Sequence, residues 1–475
     1  MSLALPEIFP VTCHTDYVGP GSTFVAIKGL SQDGVDYIPL ALTKGARTIV
    51  VADDAFILPA IRAEIKKARA SLVTVENSRK ALAQLSAQAA GFPAQKLSCI
   101  GITGTKGKTT TVHLIAHLLR AAGHRVAFLS STKNCINDYS FRASLTTAQP
   151  DYLHQFLKLC VQQNITKLII EVAAQAISLH RIEGILFDAM LFTNFSAEHL
   201  EFYSTLNDYF DAKRRLLLYG NCGAPLFING DDAACLLLTD AYKPVVSFGL
   251  SPKHDVYFLP QITQPQLCGT VFCNNVSFDL SVPALIGTFN AYNVAAAVAI
   301  ALHFQVKPNI IVQSLETFKA VQGRFERHML PDNIMIIIDH AHNPASYQVV
   351  LPVLRSMTHH FIVLFGAGGQ RDVTKRPLMG NIAAMYADLL IITADNPRTE
   401  DPAQIIADIM AGIPLEKRSH VITEIDRRHA IEIAYKKARP GSVIALLGKG
   451  AEEYQIIGTK KIPFNEAEIV QKLAR

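Results

Sequence analysis

The stretch GITGTKGKTTT at residues 101–111 places glycines, lysines and hydroxyls where an apolar run, 97–102, hands over to an amphipathic segment, 112–122. A strand giving way to a helix gathers backbone N–H groups at the helix N-terminus, and that is where phosphate binds. Gly104 and Gly107 let the backbone turn its N–H groups inward, Lys108 has the length to reach β- and γ-phosphates, and the Thr109 hydroxyl suits Mg²⁺. Thr105 and Thr110 complete the loop. The strict pattern has glycine where this chain has Ile102, so the match is to the shorter form G-T-x-G-K-T.

Other residues extend this chemistry. Glu171 lies near the end of an apolar run, 167–172, where a carboxylate is able to complete a Mg²⁺ site with Thr109 and nucleotide oxygens. His199 follows the run 189–193; a lone histidine is a metal ligand in some proteins and a hydrogen-bonded structural residue in more. Lys213 falls in a helical stretch, 204–218, where spacing alone reads as a solvated side chain. Arg324, within Gly-Arg-Phe-Glu at 323–326, carries a permanent charge able to brace a phosphate or a hinge. Arg398 follows Asp395, Asn396 and Pro397, a turn that pre-orients its planar fork for a carboxylate, although spacing alone equally describes an exposed loop arginine.

Positioning these groups requires parallel sheets with loaded edges. Residues 1–96 read as a small α/β unit, with strand-like runs at 23–27 and 48–52 and helical patterning at 38–44, 55–68 and 80–90. Pro93 precedes a boundary near residue 96. From 97 to 328, apolar runs end at the phosphate loop, at Glu171 and at Asn194, followed by short strands over 245–285 and a buried helix over 290–303. From 329 to 475, four runs (334–338, 361–365, 388–393 and 443–447) each end in polar residues, with helical stretches between them. Ligands of open parallel sheets bind beyond the carboxyl ends of the strands. The fold class is therefore α/β in three domains, 1–96, 97–328 and 329–475, the last two doubly wound.

Composition narrows the partners. At 475 residues, 49% hydrophobic and 18% charged, the chain has ample material for more than one core. A net charge of +5 without a basic block argues against nucleic acid and membrane surfaces and leaves small anionic substrates. The most apolar run, 294–302, is far shorter than the roughly 20 residues that a membrane span needs. No secretory leader is read at the N-terminus. The eight cysteines include no C-x-x-C pair, and the spacings of Cys222, Cys235, Cys268 and Cys273 fit no usual zinc site, so reduced thiols in a cytoplasmic protein are expected.

Across its whole length the chain resembles the Mur ligases. The ordered matches are Val18-x-Pro20-Gly21-x-x-Phe24-Val25-Ala26, the phosphate loop, Thr146-Thr147, Glu171-Val172, Thr193-Asn194 with His199-Leu200, and Tyr209-x-x-Ala212-Lys213. They continue with Gly287-x-Phe289-Asn290-x-x-Asn293, Gly323-Arg324-x-Glu326, Asp339-x-Ala341-His342, Gly366-x-Gly368-Gly369-x-Arg371-Asp372, Lys375-Arg376-Pro377, Asp395-Asn396-Pro397-Arg398 and Gly448-Lys449-Gly450-x-Glu452. The resemblance implies a nucleotide-sugar-binding N-terminal domain, a central P-loop ATPase-like domain and a Rossmann-like amino-acid-binding C-terminal domain. It implies ATP-dependent amide-bond synthesis through an acyl phosphate, with small-molecule substrates, in a cytoplasmic monomer.

By the same resemblance Lys108 neutralises the transferring phosphoryl group, Thr109 and Glu171 hold one Mg²⁺, and His199 stands near a second. Lys213 matches the family's carbamylated lysine; an ammonium cannot ligate Mg²⁺, whereas its CO₂ adduct is an anionic oxygen donor. Asn290 and Asn293 face adenine, Asp339 the ribose and Arg324 the phosphates, while Thr15, Thr146, Thr147 and Arg181 serve the UDP-sugar substrate. The motif at 395–398 resembles that of members adding meso-diaminopimelate to a UDP-muramoyl dipeptide in peptidoglycan synthesis, with Arg376, Asn396, Arg398, Gly448 and Glu452 forming the pocket.

The chain departs from the family pattern at His14-Thr15-Asp16 (usually Asp-Ser-Arg), Ala173-Ala174-Gln175 (Ser-Ser-His), Lys106 (Asn) and Ala451 (His). The ATP and third-residue patterns are thus better kept than those for uridine and muramoyl groups. A ligase with another acceptor, of folylpolyglutamate-synthase type, and a nucleotide-binding relative without ligase activity are the alternatives.

Overall fold

Strand Ser98–Thr103 is buried from its second residue onward, as expected for a run of apolar residues with parallel neighbours on both sides. In the computed structural model, which describes residues 3–29, 32–196, 198, 202–261, 266–274 and 276–473, it pairs in parallel with Ala189–Phe192 on one side and Lys167–Glu171 on the other. The register sets Thr103 opposite Phe192 and Ile102 opposite Glu171. Three strands therefore deliver the phosphate loop, Thr193 and Glu171 to one edge. The sheet continues in parallel through Leu226–Asn229 to Val245–Gly249, and on the other side through Val126–Leu129. There the antiparallel hairpin of Lys133–Ile136 and Tyr139–Arg142, which short-range patterning did not reveal, extends it.

Contacts divide the chain into two compact units, Met1–Tyr257 with Phe272–Val276 and Tyr292–Ser314, and Phe258–Val271 with Ser277–Ala291 and Leu315–Arg475. Besides the large sheet, the first unit carries a parallel four-stranded sheet of Val11–Thr12, Thr23–Val25, Thr48–Ala52 and Ser71–Val75. Asp151, on helix Pro150–Gln162, ties this small sheet to the large one by accepting from Thr12 Oγ1 at 2.8 Å and from the Cys13 N–H at 3.2 Å. Helix Lys108–Ala121 begins four residues before the expected start at 112, because Gly107 at φ 80° serves as its N-cap and the lysine and threonines form its first turn.

In the second unit six strands are ordered Glu326–Met329, Met335–Asp339, Val443–Leu447, Phe361–Phe365, Leu389–Ile392 and Val421–Thr423, antiparallel only at the first pair. Both faces are covered. Leu351, Met379 and Ile409 of three helices pack on one, and Ile431 and Val470 of two helices on the other. Each such side chain contributes about 1.5–3 kcal/mol on burial. The strands' carboxyl ends bring Asp339, Gly366, Asp395 and Gly448 to one edge, as the four polar run-ends predict. No helix among the described residues is long and apolar enough to cross a membrane.

Candidate active site

The phosphate loop of the first unit is held from outside at nearly every peptide. The Thr105 N–H donates to Asn194 O and the Lys106 N–H to Asn194 Oδ1, both at 2.9 Å. Lys106 O accepts from Thr193 Oγ1 at 2.7 Å and Asn194 Nδ2 at 3.1 Å, while Lys108 Nζ donates to Thr105 O at 2.9 Å. Gly104, at φ 132°, has no room for a side chain, since a Cβ would collide with Thr193 Oγ1. Asn293, on helix Thr288–His303, lies against Gly107 and accepts from Thr111 Oγ1 at 3.3 Å. Such a loop is pre-organised, so charge entering it meets dipoles already in place.

Next to it stands a set of hard oxygen donors. Glu171 is 2% exposed, and its Oε2 accepts from Thr109 Oγ1 at 3.0 Å, from the Ser131 N–H at 2.9 Å and from Ser131 Oγ at 3.3 Å. The two hydroxyls are 2.8 Å apart. One buried carboxylate with two hydroxyls fits Mg²⁺, which takes few protein oxygens and completes its shell with water and phosphate. Thr147 is buried here, donating to Glu171 O at 2.8 Å and accepting from the Ala173 N–H at 3.0 Å. His199 lies outside the described residues.

Lys213 comes from helix Leu206–Arg214, started by a reciprocal cap in which Thr205 and Asp208 bond each other's backbone. The helix turns Tyr209, Ala212 and Lys213 inward, at the spacing of one face, so the lysine expected to be solvated is 1% exposed. Its Nζ donates to Gly104 O at 2.6 Å. Burial, followed by the nearby Lys108, pushes its pKa well below the ordinary lysine range; Glu198 and Glu171 oppose the shift and Lys106 adds to it. A neutral amine is the form that adds CO₂, so the environment fits a carbamate.

Farther along the same unit, Arg181 donates to Thr147 O at 3.1 Å, while its buried Nε has no hydrogen-bond partner among the described residues. Burial, followed by Arg79, lowers the Arg181 pKa from the ordinary arginine value, and Cys13 opposes the shift. Thr146 is half-buried next to Thr147, and Thr15 accepts from Lys44 Nζ through its carbonyl at 2.9 Å.

In the second unit Asp339 accepts from the Phe325 N–H at 2.7 Å and the Ala341 N–H at 2.8 Å, which fixes the turn bearing Arg324. Asn290 is buried and donates to Ile286 O at 2.8 Å. At the neighbouring strand ends, Lys449 is fully buried, with Nζ 3.1 Å from Glu452 Oε2, 3.2 Å from Asn396 Oδ1 and 3.4 Å from Asp395 Oδ1. Asn396 Nδ2 donates to Glu452 at 2.8 Å. Gly448 leaves its strand at φ 113°, and a Cβ there would sit 3.4 Å from Asp395 Oδ2. Arg398 has φ 55°, rare for a residue that carries a side chain, and donates to Gly369 O at 2.6 Å. Burial, followed by the nearby Arg371, lowers its pKa from the ordinary arginine value, and Asp395 and Glu452 oppose the shift.

Arg376, expected in the amino-acid pocket, packs behind the Gly-rich loop. Its side chain is fully buried, donating to Glu400 Oε1 at 2.6 Å, Glu400 Oε2 at 2.9 Å and Asp408 Oδ2 at 2.8 Å. Its Nη2 also reaches Gly368 O at 3.3 Å. It braces the Gly-rich loop from behind, and the guanidinium near Arg398 is that of Arg371. Ser131, Glu198, Arg371 and Lys449 were not singled out as site residues. For the last two a signal existed, a basic residue in a Gly-rich loop directly after a buried strand.

Comparison with known proteins agrees with this layout. Residues 8–90 match the Mur ligase family catalytic domain, 102–301 the Mur ligase middle domain, and 323–450 the Mur ligase glutamate ligase domain. Proteins of Aquifex aeolicus (35% identical, covering 100% of this chain and 95% of the relative) and Caldanaerobacter subterraneus (34%, 96% and 92%) are both named UDP-N-acetylmuramoyl-L-alanyl-D-glutamate–2,6-diaminopimelate ligase. A solved structure of a ligase of that name superposes with a TM-score of 0.66 at 26% identity, covering 98% of this chain and 94% of its own. With relatives at this identity aligned from end to end, the chain belongs to the Mur ligase family.

Proposed function

We propose that the chain joins 2,6-diaminopimelate to UDP-N-acetylmuramoyl-L-alanyl-D-glutamate with hydrolysis of ATP to ADP and phosphate, as a cytoplasmic monomer. The observation that carries this reading is the full-length kinship with ligases of that name. The gathering of Lys108, Thr109, Glu171 and Lys213 around one loop supports it chemically.

In this reading the N–H groups at the helix start and Lys108 receive the β- and γ-phosphates, with Thr105, Thr110, Gly104 and Gly107 shaping the loop. Thr109 and Glu171 would hold Mg²⁺, and Lys213 as a carbamate together with His199 would hold a second; bound there, the ions supply positive charge to the phosphoryl oxygens. A peptide carboxylate oxygen bonds to the γ-phosphorus as the bond to the ADP oxygen breaks, giving an acyl phosphate. The amine of diaminopimelate then bonds to the acyl carbon, phosphate leaves, and the amine loses a proton. Asn290 and Asn293 face adenine, Asp339 the ribose and Arg324 the phosphates.

Thr15, Thr146, Thr147 and Arg181 receive the nucleotide-sugar peptide. Arg398, with Arg371 near it, pairs with the second carboxylate of diaminopimelate, while Asn396, Gly448 and Glu452 shape the rest. Lysine lacks that carboxylate and would leave Arg398 without this partner, so it should be discriminated against. ADP release that requires both the UDP-muramoyl dipeptide and meso-diaminopimelate is the expected result. Absence of turnover with that pair, in protein that binds ATP, would overturn the assignment.

A further inference from the structure

Two lysines stand two residues apart in the phosphate loop, and they are differently employed. Lys108 turns back onto the loop at Thr105 O. Lys106 has a backbone fixed on both sides by Thr193 and Asn194, so its side chain swings from a rigid root. Its ammonium lies 2.6 Å from Glu198 Oε1, a short charge-assisted contact. Exposure of the two side chains is unequal, 36% for the lysine and 10% for the glutamate. The carboxylate is the sheltered partner, and the lysine is the one with room to move.

Both lie close enough to Lys213 to act on it electrostatically, as do Lys108 and Glu171. A flexible ammonium rooted in a phosphate loop has two mutually exclusive kinds of partner there, the neighbouring carboxylate and the phosphate oxygens of a nucleotide. We propose that Glu198 is an internal competitor for Lys106, an intramolecular anion that the terminal phosphates of ATP must displace before Lys106 can bind them. The inference rests on the ATP reading above and deepens it. Lys106 becomes a second phosphate-binding lysine, and Glu198 sets how tightly ATP binds.

The test is calorimetric titration of ATP and AMP, with chelator present, into wild type, K106M, K106R, E198Q and the K106M/E198Q double variant. Thermal unfolding of each variant confirms folding. K106M is expected to weaken ATP about tenfold and leave AMP unchanged, with K106R restoring most of the loss. E198Q is expected to tighten ATP about three- to tenfold in the presence of Lys106 and much less in the K106M background, because only the first case releases a lysine. A folded E198Q variant that binds ATP no better than wild type, or equal tightening in both backgrounds, overturns the competition. Wild type that binds no ATP would overturn this inference and the nucleotide reading with it.

Discussion

Lys213 Nζ donates a 2.6 Å hydrogen bond to the carbonyl oxygen of Gly104, so a residue 109 positions downstream closes the phosphate loop. Two neighbouring loop carbonyls, Gly104 O and Thr105 O, are thus each taken by a lysine. Turning those carbonyls toward N–H donors leaves the opposite side of the loop to N–H dipoles, the polarity that a phosphate needs. The price of the arrangement is a buried amine kept from its charged form, which is the reactivity that a carbamate requires.

For Lys213→Ala, the expected result is a fall in ligase kcat of about 10²-fold or more, the scale for losing one pre-organised charge-stabilising group. Depleting bicarbonate should lower wild-type activity reversibly and leave the residual activity of the variant unmoved. Steady-state rates in degassed and bicarbonate-supplemented buffer measure both. Equal bicarbonate dependence of the two proteins would remove the carbamate from the mechanism.

Glu171→Gln keeps the shape of the site and removes its charge. Because Thr109 and Ser131 both bond the same carboxylate oxygen, the substitution should raise the half-saturating Mg²⁺ concentration about 10–100-fold. ATP binding in chelator should stay near the wild-type value, since phosphate contacts come from the loop. Mg²⁺ titration of ADP release decides between this and a purely structural carboxylate, for which the two effects would move together.

Arg376 and Arg398 separate by what they hold. Removing the buried Arg376 leaves a cavity and frees Glu400 and Asp408, which are partly exposed to water, so Arg376→Ala should destabilise the fold by about 1–3 kcal/mol. Arg398→Ala should leave the urea midpoint nearly unchanged while raising KM for diaminopimelate at least tenfold. Denaturant unfolding together with amino-acid saturation curves tests the pair. A stable Arg376→Ala protein with the same KM defect would return Arg376 to the pocket.

How much of this was legible depends on the range of the interaction concerned. The phosphate loop, Glu171 and the Asp395–Arg398 turn are local arrangements at strand ends, so residue type and spacing expose them. Lys213 was half legible: with Tyr209 and Ala212 it marks one helical face, but an apolar face does not say what its lysine will touch. Arg376 carried an overlooked signal, for with Met379, Gly380 and Ala383 it completes the buried stripe of its helix. The Lys106–Glu198 pair and the Ser131 contact join residues from separate strand ends, and only the parallel pairing of those strands brings them together.

The brace around Arg376 also carries a pH signature. Its hydrogen bonds hold the Glu400 carboxyl at about 2, below the ordinary 4.5; partial burial opposes this and the Gln370 N–H assists. A depressed carboxylate stabilises the fold above its unfolded-state pKa, and that contribution is lost as pH falls through the folded value. The stability difference between wild type and Glu400→Gln should therefore be largest near pH 7 and constant down to about pH 5. Below about pH 4.5 it should narrow progressively toward pH 2, because the wild-type glutamate must there be protonated while the glutamine is unaffected. Urea midpoints of the two proteins at pH 7, 5, 4 and 3 trace the curve. A difference independent of pH would mean that Glu400 holds Arg376 by shape and hydrogen bonding alone, with no contribution from its charge.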